Sequence, residues 1–186
     1  GRRVGFDMAR RRFVPDSAVI AGTPEEAARA LLPGLPDMSE ADLVARLNAA
    51  AAAAPMAPAV PLAPLLARLR AGGLALGVAT NDAEAPARAH LERAGVLDLF
   101  DFVAGYDSGH GGKPGPGMCL AFAGAAGLAP EAVVMVGDSL HDLHAGRAAG
   151  MATVAVLTGL APEAELAPHA DAVLPDIGRL PGWLGR

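Results

Sequence analysis

The chain has 186 residues, 52% of them hydrophobic and 19% charged, with a formal net charge of −5. That length suits one α/β domain of ordinary size with a small insertion. The apolar content excludes a disordered chain, and no run reaches the ~18 uninterrupted apolar residues of a membrane helix. An acidic balance argues against nucleic acid as the main partner, although Arg2, Arg3, Arg10, Arg11 and Arg12 cluster at one end.

In chain order, Thr23-Pro-Glu-Glu26 is a capping box with proline at the first helical position, opening a helix to about Leu32. Ser39-Glu-Ala-Asp42 opens a second helix through Leu43, Leu47 and the alanine tract 49–54. Prolines at 33, 36, 55, 58, 61 and 64 punctuate this region, and 55–64 reads as a hinge or return before a helix over Leu65 to Arg70. From residue 74 the pattern changes. Leu74–Ala79 reads as a buried strand, Ala83–Ala94 as a helix stopped by Gly95, and Phe102–Ala104 as a short strand. A helix over Pro116–Ala126, a strand over Ala132–Val136, a helix over Asp142–Ala149 and strands over Thr153–Leu157 and Asp171–Leu174 follow. Apolar strands alternating with helices indicate a parallel sheet covered on both faces. Residues 1–61 therefore read as a helical module and 62–186 as an α/β core.

Three segments fall just past the carboxyl ends of expected strands, the edge where open α/β sheets bind ligands. Val78-Ala-Thr-Asn-Asp82 offers the Thr80 hydroxyl, Asn81 and backbone N–H groups for phosphate oxygens, or simply a helix cap. Gly109-His-Gly-Gly-Lys-Pro-Gly-Pro-Gly117 sets Lys113 among five glycines, with Pro114 and Pro116 stiffening the exit; a mobile surface loop is the plainer alternative. Val136-Gly-Asp-Ser-Leu-His-Asp142 puts Asp138 at a strand tip and Asp142 one helical turn on. Two such carboxylates suit Mg²⁺, although Asp138 as a helix cap and Asp142 as a first-turn acid would need no metal. Of 15 basic side chains, Lys113 is the single lysine in an arginine-rich chain, which marks it for chemistry or for chance.

The ordered set T-N, K-P and G-D-S-x-x-D resembles the haloacid dehalogenase (HAD) superfamily, nearest its phosphoglycolate-phosphatase-like branch, over Leu62 to about Leu174. Asp16–Pro24 is similar to part of the small helical cap of such proteins. The resemblance implies a Rossmann-like parallel-sheet core with an α-helical cap, and Mg²⁺-dependent hydrolysis of a small phosphorylated metabolite through an aspartyl-phosphate. It implies that Thr80 binds the transferring phosphoryl group with Asn81 beside it, that Lys113 bridges that group and the nucleophile, that Asp138 ligates Mg²⁺, and that Asp142 supports the metal's waters or orients Lys113. Asp82 stands where many relatives have lysine.

The family's D-x-D-G-T motif is absent. Val4-Gly-Phe-Asp-Met8 starts like it, then gives Ala9, Arg10 and Arg11. Asp7 therefore reads as a cap or loop residue, and the first strand as missing, with the nucleophile expected before Gly1 in a longer parent. This chain is expected to be inactive as given. The alternatives are a non-catalytic phosphate- or metabolite-binding domain on the same scaffold and a metal-independent haloacid dehalogenase. Cys119, the single cysteine, excludes an intrachain disulfide and fits a reducing, cytoplasmic setting as a small core residue. His110 is read as a solvated loop residue. His141 and His144 are spaced wrongly to share a metal with Asp142, and Trp183 reads as a packing anchor. The oligomeric state is open.

Overall fold

The computed structural model describes residues 4–14, 17, 19–20 and 22–185. Arg2, Arg3, and Asp16, Ala18 and Ala21 of the stretch assigned to the cap lie outside them.

A two-residue hairpin opens the fold: β1 (Phe6–Asp7) pairs antiparallel with β2 (Arg12–Phe13), the Phe6 and Phe13 rings meeting edge-on at 4.9 Å. Helix α1 (Pro24–Leu31) begins at the expected capping box, with Thr23 Oγ1 accepting from Glu26 N–H and Glu26 Oε2 accepting from Thr23 N–H. Ser39 caps α2 (Glu40–Ala53), which packs on both α1 and α4 (Glu84–Arg93) and so ties the helical module to the core. Helix α3 (Leu62–Ala71) starts three residues earlier than expected, because Pro64 falls within its first turn, where a missing N–H costs nothing.

The core is built from parallel strands. Strand β3 (Gly77–Ala79) pairs with β4 (Phe102–Ala104), while β5 (Val134–Gly137), β6 (Ala152–Val156) and β7 (Ala172–Leu174) pair in that order. Strand β3 is half the expected length. Before it, the Leu76 N–H is taken by the Asp101 carboxylate at 2.9 Å, a side chain standing in for a ladder partner. Helices α5 (Gly117–Ala126) and α6 (Leu140–Ala148) cover β5, and the short α7 (Glu163–Leu166) and α8 (Leu180–Trp183) follow.

The parallel arrangement matches the expectation, but the sheet is divided. Among the described residues β3 pairs with β4 alone and β5 with β6 alone, and no strand lies between β3 and β5. A cavity of about 600 Å³ occupies that place, lined by Gly77–Ala79, Val134–Gly137 and apolar side chains including Leu66, Met118 and Phe122. The apolar contacts divide in the same way. Leu66, Leu69 and Val96 form a cluster on the β3 side, whereas Cys119, Ala145 and Met151, and separately Leu143, Ala155 and Leu166, pack on the β5 side. Trp183 is 39% exposed, contrary to expectation; Leu180 and Leu184, one helical turn apart, do the anchoring against the Leu66–Leu69 cluster.

Candidate active site

All three motif segments arrive at one end of the divided sheet. Thr80 follows β3, its N–H continuing the ladder to Ala104 C=O at 3.0 Å and its Oγ1 accepting from Asp82 N–H at 3.0 Å. Asn81 is buried and clamps the main chain of Lys113 from both sides: Oδ1 accepts Lys113 N–H at 2.7 Å and Nδ2 donates to Lys113 C=O at 2.9 Å. The glycine-rich loop is thus fixed at its one lysine by a neighbouring strand end, in addition to the proline exit. The Lys113–Pro114 peptide is cis.

The Lys113 ammonium donates to Ala79 C=O at 2.8 Å and to Asp142 Oδ1 at 2.5 Å. These side chains are only 11% and 8% exposed. A buried pair of this kind adds little net stability, since two ions must be stripped of water to form it; removing one partner is the expensive event. The other Asp142 oxygen accepts Ser139 N–H at 3.0 Å and Ser139 Oγ–H at 2.7 Å, closing a capping box over the first turn of α6. Asp142 is therefore both a helix-start acid and the holder of Lys113. The cap of α6 is Ser139, not Asp138 as the capping alternative had it, which leaves the Asp138 carboxylate at the strand tip.

Close approach explains two glycines. A Cβ on Gly137 would overlap the Asp142 side chain, and one on Gly159 would overlap the Asp138 carboxylate. Asp138 keeps contact with water, yet the protein crowding it removes part of its hydration. That loss, and next the negative charge of Asp142, push its carboxyl above the usual carboxylate range, while a backbone hydrogen bond and Lys113 pull the other way. An under-neutralised carboxylate beside a second one is a hard-oxygen donor suited to a divalent cation. Asp142 is less suited, because Lys113 and Ser139 already occupy both of its oxygens.

A second cavity, of about 340 Å³, opens outward from this cluster. Thr80, Asn81, Asp82, Lys113, Asp138 and Asp142 all line it, together with Ile20 and Gly22 from the helical module and Ser139, His141, Gly159 and Glu165. Sequence reasoning missed Ser139 as the cap of α6, the close approach of Gly159 to Asp138, and Glu165 as part of the lining. The S-x-x-D spacing could have found Ser139; the other two come from chain brought in by tertiary folding. His110 is exposed and lines neither cavity, and Cys119 is buried, its thiol pushed up mainly by loss of hydration. Asp7 lies in the β1–β2 hairpin, where its Oδ1 accepts the N–H groups of Ala9 and Arg10 at 2.9 and 3.0 Å.

A doubly covered parallel fold with T-N, K-P and G-D motifs converging at its strand tips defines a class, and residues 20–156 match the haloacid dehalogenase-like hydrolase family. The chain belongs to that family. Among its relatives, a phosphoglycolate phosphatase of Rhodospirillum rubrum is 39% identical over 115 residues, covering 62% of this chain and 48% of that protein. The CbbY structure from Rhodobacter sphaeroides, in complex with phosphate, aligns over 85% of this chain and 75% of its own at 25% identity, TM-score 0.72. A HAD family hydrolase of Deinococcus radiodurans with bound phosphate and sodium aligns over 86% and 74% at 26% identity, TM-score 0.64. The chain spans about half, or less, of the length of the curated relatives it matches.

Proposed function

We propose that this chain is the phosphate-handling part of a phosphomonoester hydrolase acting on a small phosphorylated metabolite, phosphoglycolate being the first candidate. The observation that carries this reading is the setting of Lys113: two of its three donors are held by Ala79 and Asp142, and its ammonium lines the same cavity as Thr80 and Asp138. A fixed cation at that point stabilises charge developing on a transferring phosphoryl group. Thr80 supplies its hydroxyl hydrogen to a phosphoryl oxygen. Asp142 orients Lys113. Asp138 would hold Mg²⁺, which supplies charge neutralisation at the phosphoryl oxygens when bound.

The attacking carboxylate, in this reading, belongs to an aspartate on a strand that fills the cavity between β3 and β5. Its oxygen bonds to phosphorus as the ester P–O bond breaks and the alcohol leaves; water then cleaves the acyl phosphate. The buried Cys119 thiol suits a cytoplasmic setting.

The test pairs two proteins. With a carboxylate-bearing strand in place, phosphate release from phosphoglycolate should require Mg²⁺, stop with chelator, and fall about 10²–10³-fold in Lys113→Met. The 186-residue chain alone should bind phosphate, seen by ³¹P line broadening, and release none from esters. Chelator-insensitive release of halide from a 2-haloacid, with no phosphate released from phosphoglycolate, would point instead to the metal-independent dehalogenase branch. Turnover by the chain alone, lost in Asp7→Asn, would make Asp7 the nucleophile.

A further inference from the structure

His144 on α6 and His169, the last residue of the 3-10 turn Ala167–His169, bring Nε2 of the first within 3.3 Å of Nδ1 of the second. The rings stand edge to face at 78° with centroids 4.9 Å apart. The 3.3 Å separation is that of a long N–H···N hydrogen bond, the donor set by the tautomer. It matches what a metal would need: a tetrahedral ion bonded to both nitrogens at about 2.0–2.1 Å holds them about 3.3–3.4 Å apart.

The pair is held by structure on both sides. The His169 carbonyl accepts from Thr153 Oγ1 at 3.2 Å, and Thr153 is fully buried in β6. Arg147, three residues after His144, pairs with Asp171, two residues after His169, at 2.7 Å, and the other Asp171 oxygen takes the Thr153 N–H at 2.7 Å. Helix and turn are thus cross-linked beside the imidazoles, so little ordering remains to be done on binding. His144 is exposed and His169 half-buried, which leaves water to complete the coordination shell. Among the described residues no group of three or more His, Cys, Asp or Glu side chains is placed to hold a metal.

We propose that His144 and His169 form a two-imidazole site for Zn²⁺, separate from the phosphate-handling cavity. Calorimetric titration of the chain in excess Mg²⁺ tests it, because Mg²⁺ prefers oxygen ligands and does not compete for imidazole. One equivalent of Zn²⁺ should bind, and Cu²⁺ can replace it as a spectroscopic probe. His144→Gln and His169→Gln, each checked for unchanged circular dichroism, should weaken binding about tenfold or more. The Cu²⁺ electron paramagnetic resonance spectrum should show two imidazole nitrogens. Unchanged affinity in either variant overturns the proposal. So does loss in His141→Gln with His169→Gln unaffected, which would place the ion on the helix pair His141 and His144. Loss in Asp138→Asn alone overturns it too, by moving the ion to the strand tip.

Discussion

Lys113 and Asp142 meet where water is nearly excluded, so each is stable only because the other is there. Lys113→Met strands a carboxylate that is 8% exposed, and a loss of about 3 kcal/mol is expected in urea unfolding, with a smaller loss in Lys113→Arg. Asp138 behaves oppositely. Its carboxyl is held above its unfolded value, so the folded state binds the proton more tightly and stability falls as pH rises through the folded value. Asp138→Asn should therefore raise the melting temperature of the metal-free chain at neutral pH by about 1–3 °C, and the gain should vanish in acid, where the wild-type carboxyl is already protonated. A scan of melting temperature against pH for the two proteins measures it. The identity of these residues was legible from three short motifs, because each sits in a turn whose chemistry is local. The task of Asn81 was not: its amide grips a backbone 32 positions away, a contact that spacing does not encode.

Elements start where their caps and close approaches allow. The T-P-E-E box and Ser39 placed α1 and α2 to within a residue, since a cap is a local bond. Strand ends were less legible, because a ladder needs a partner: Leu74–Leu76 has the apolar character of a strand, but Leu74 N–H turns back to Leu69 C=O and Leu76 N–H goes to the Asp101 carboxylate, leaving Leu76 C=O with the Asp101 N–H as its main-chain link. At the β5–α6 junction the same logic gives a sharp expectation. Gly137→Ala puts a methyl group into Asp142, displacing the carboxylate from both Ser139 and Lys113; destabilisation of about 2–3 kcal/mol should accompany a loss of phosphate binding. Ser139→Ala removes the cap and the hydroxyl bond to Asp142 but keeps the Ser139 N–H on that carboxylate, for about 1 kcal/mol, and should weaken phosphate binding far less than Gly137→Ala. Calorimetric melting and ³¹P titration of the two variants separate the effects.

On the scale of the whole molecule, the parallel α/β architecture with a helical module was readable from alternation, and the absent D-x-D-G-T motif pointed to a missing first strand, whereas the size of the cavity between β3 and β5 was not readable, since side chains from distant elements line it. The gap makes an observable difference to amide protons. Thr80 N–H bonds to Ala104 and Val133 C=O to Ala152, so by alternation the Gly77, Ala79, Val134 and Val136 N–H groups face the cavity. These four should exchange with solvent much faster than those of Val78 and Met135, read by NMR hydrogen exchange. Equal protection would mean that the slot is closed in solution. The two ladders share no hydrogen bond among the described residues. They are joined by α5, which touches β3, β4 and α6, and by the Lys113–Asp142 pair, whose members follow β4 and β5 respectively. Each ladder with its own apolar cluster is then expected to take up heat as a separate unit. A calorimetric enthalpy larger than the van't Hoff enthalpy is expected for this chain, and filling the slot should bring the two values together, so that one ion pair and one helix bridge what otherwise melts as two bodies.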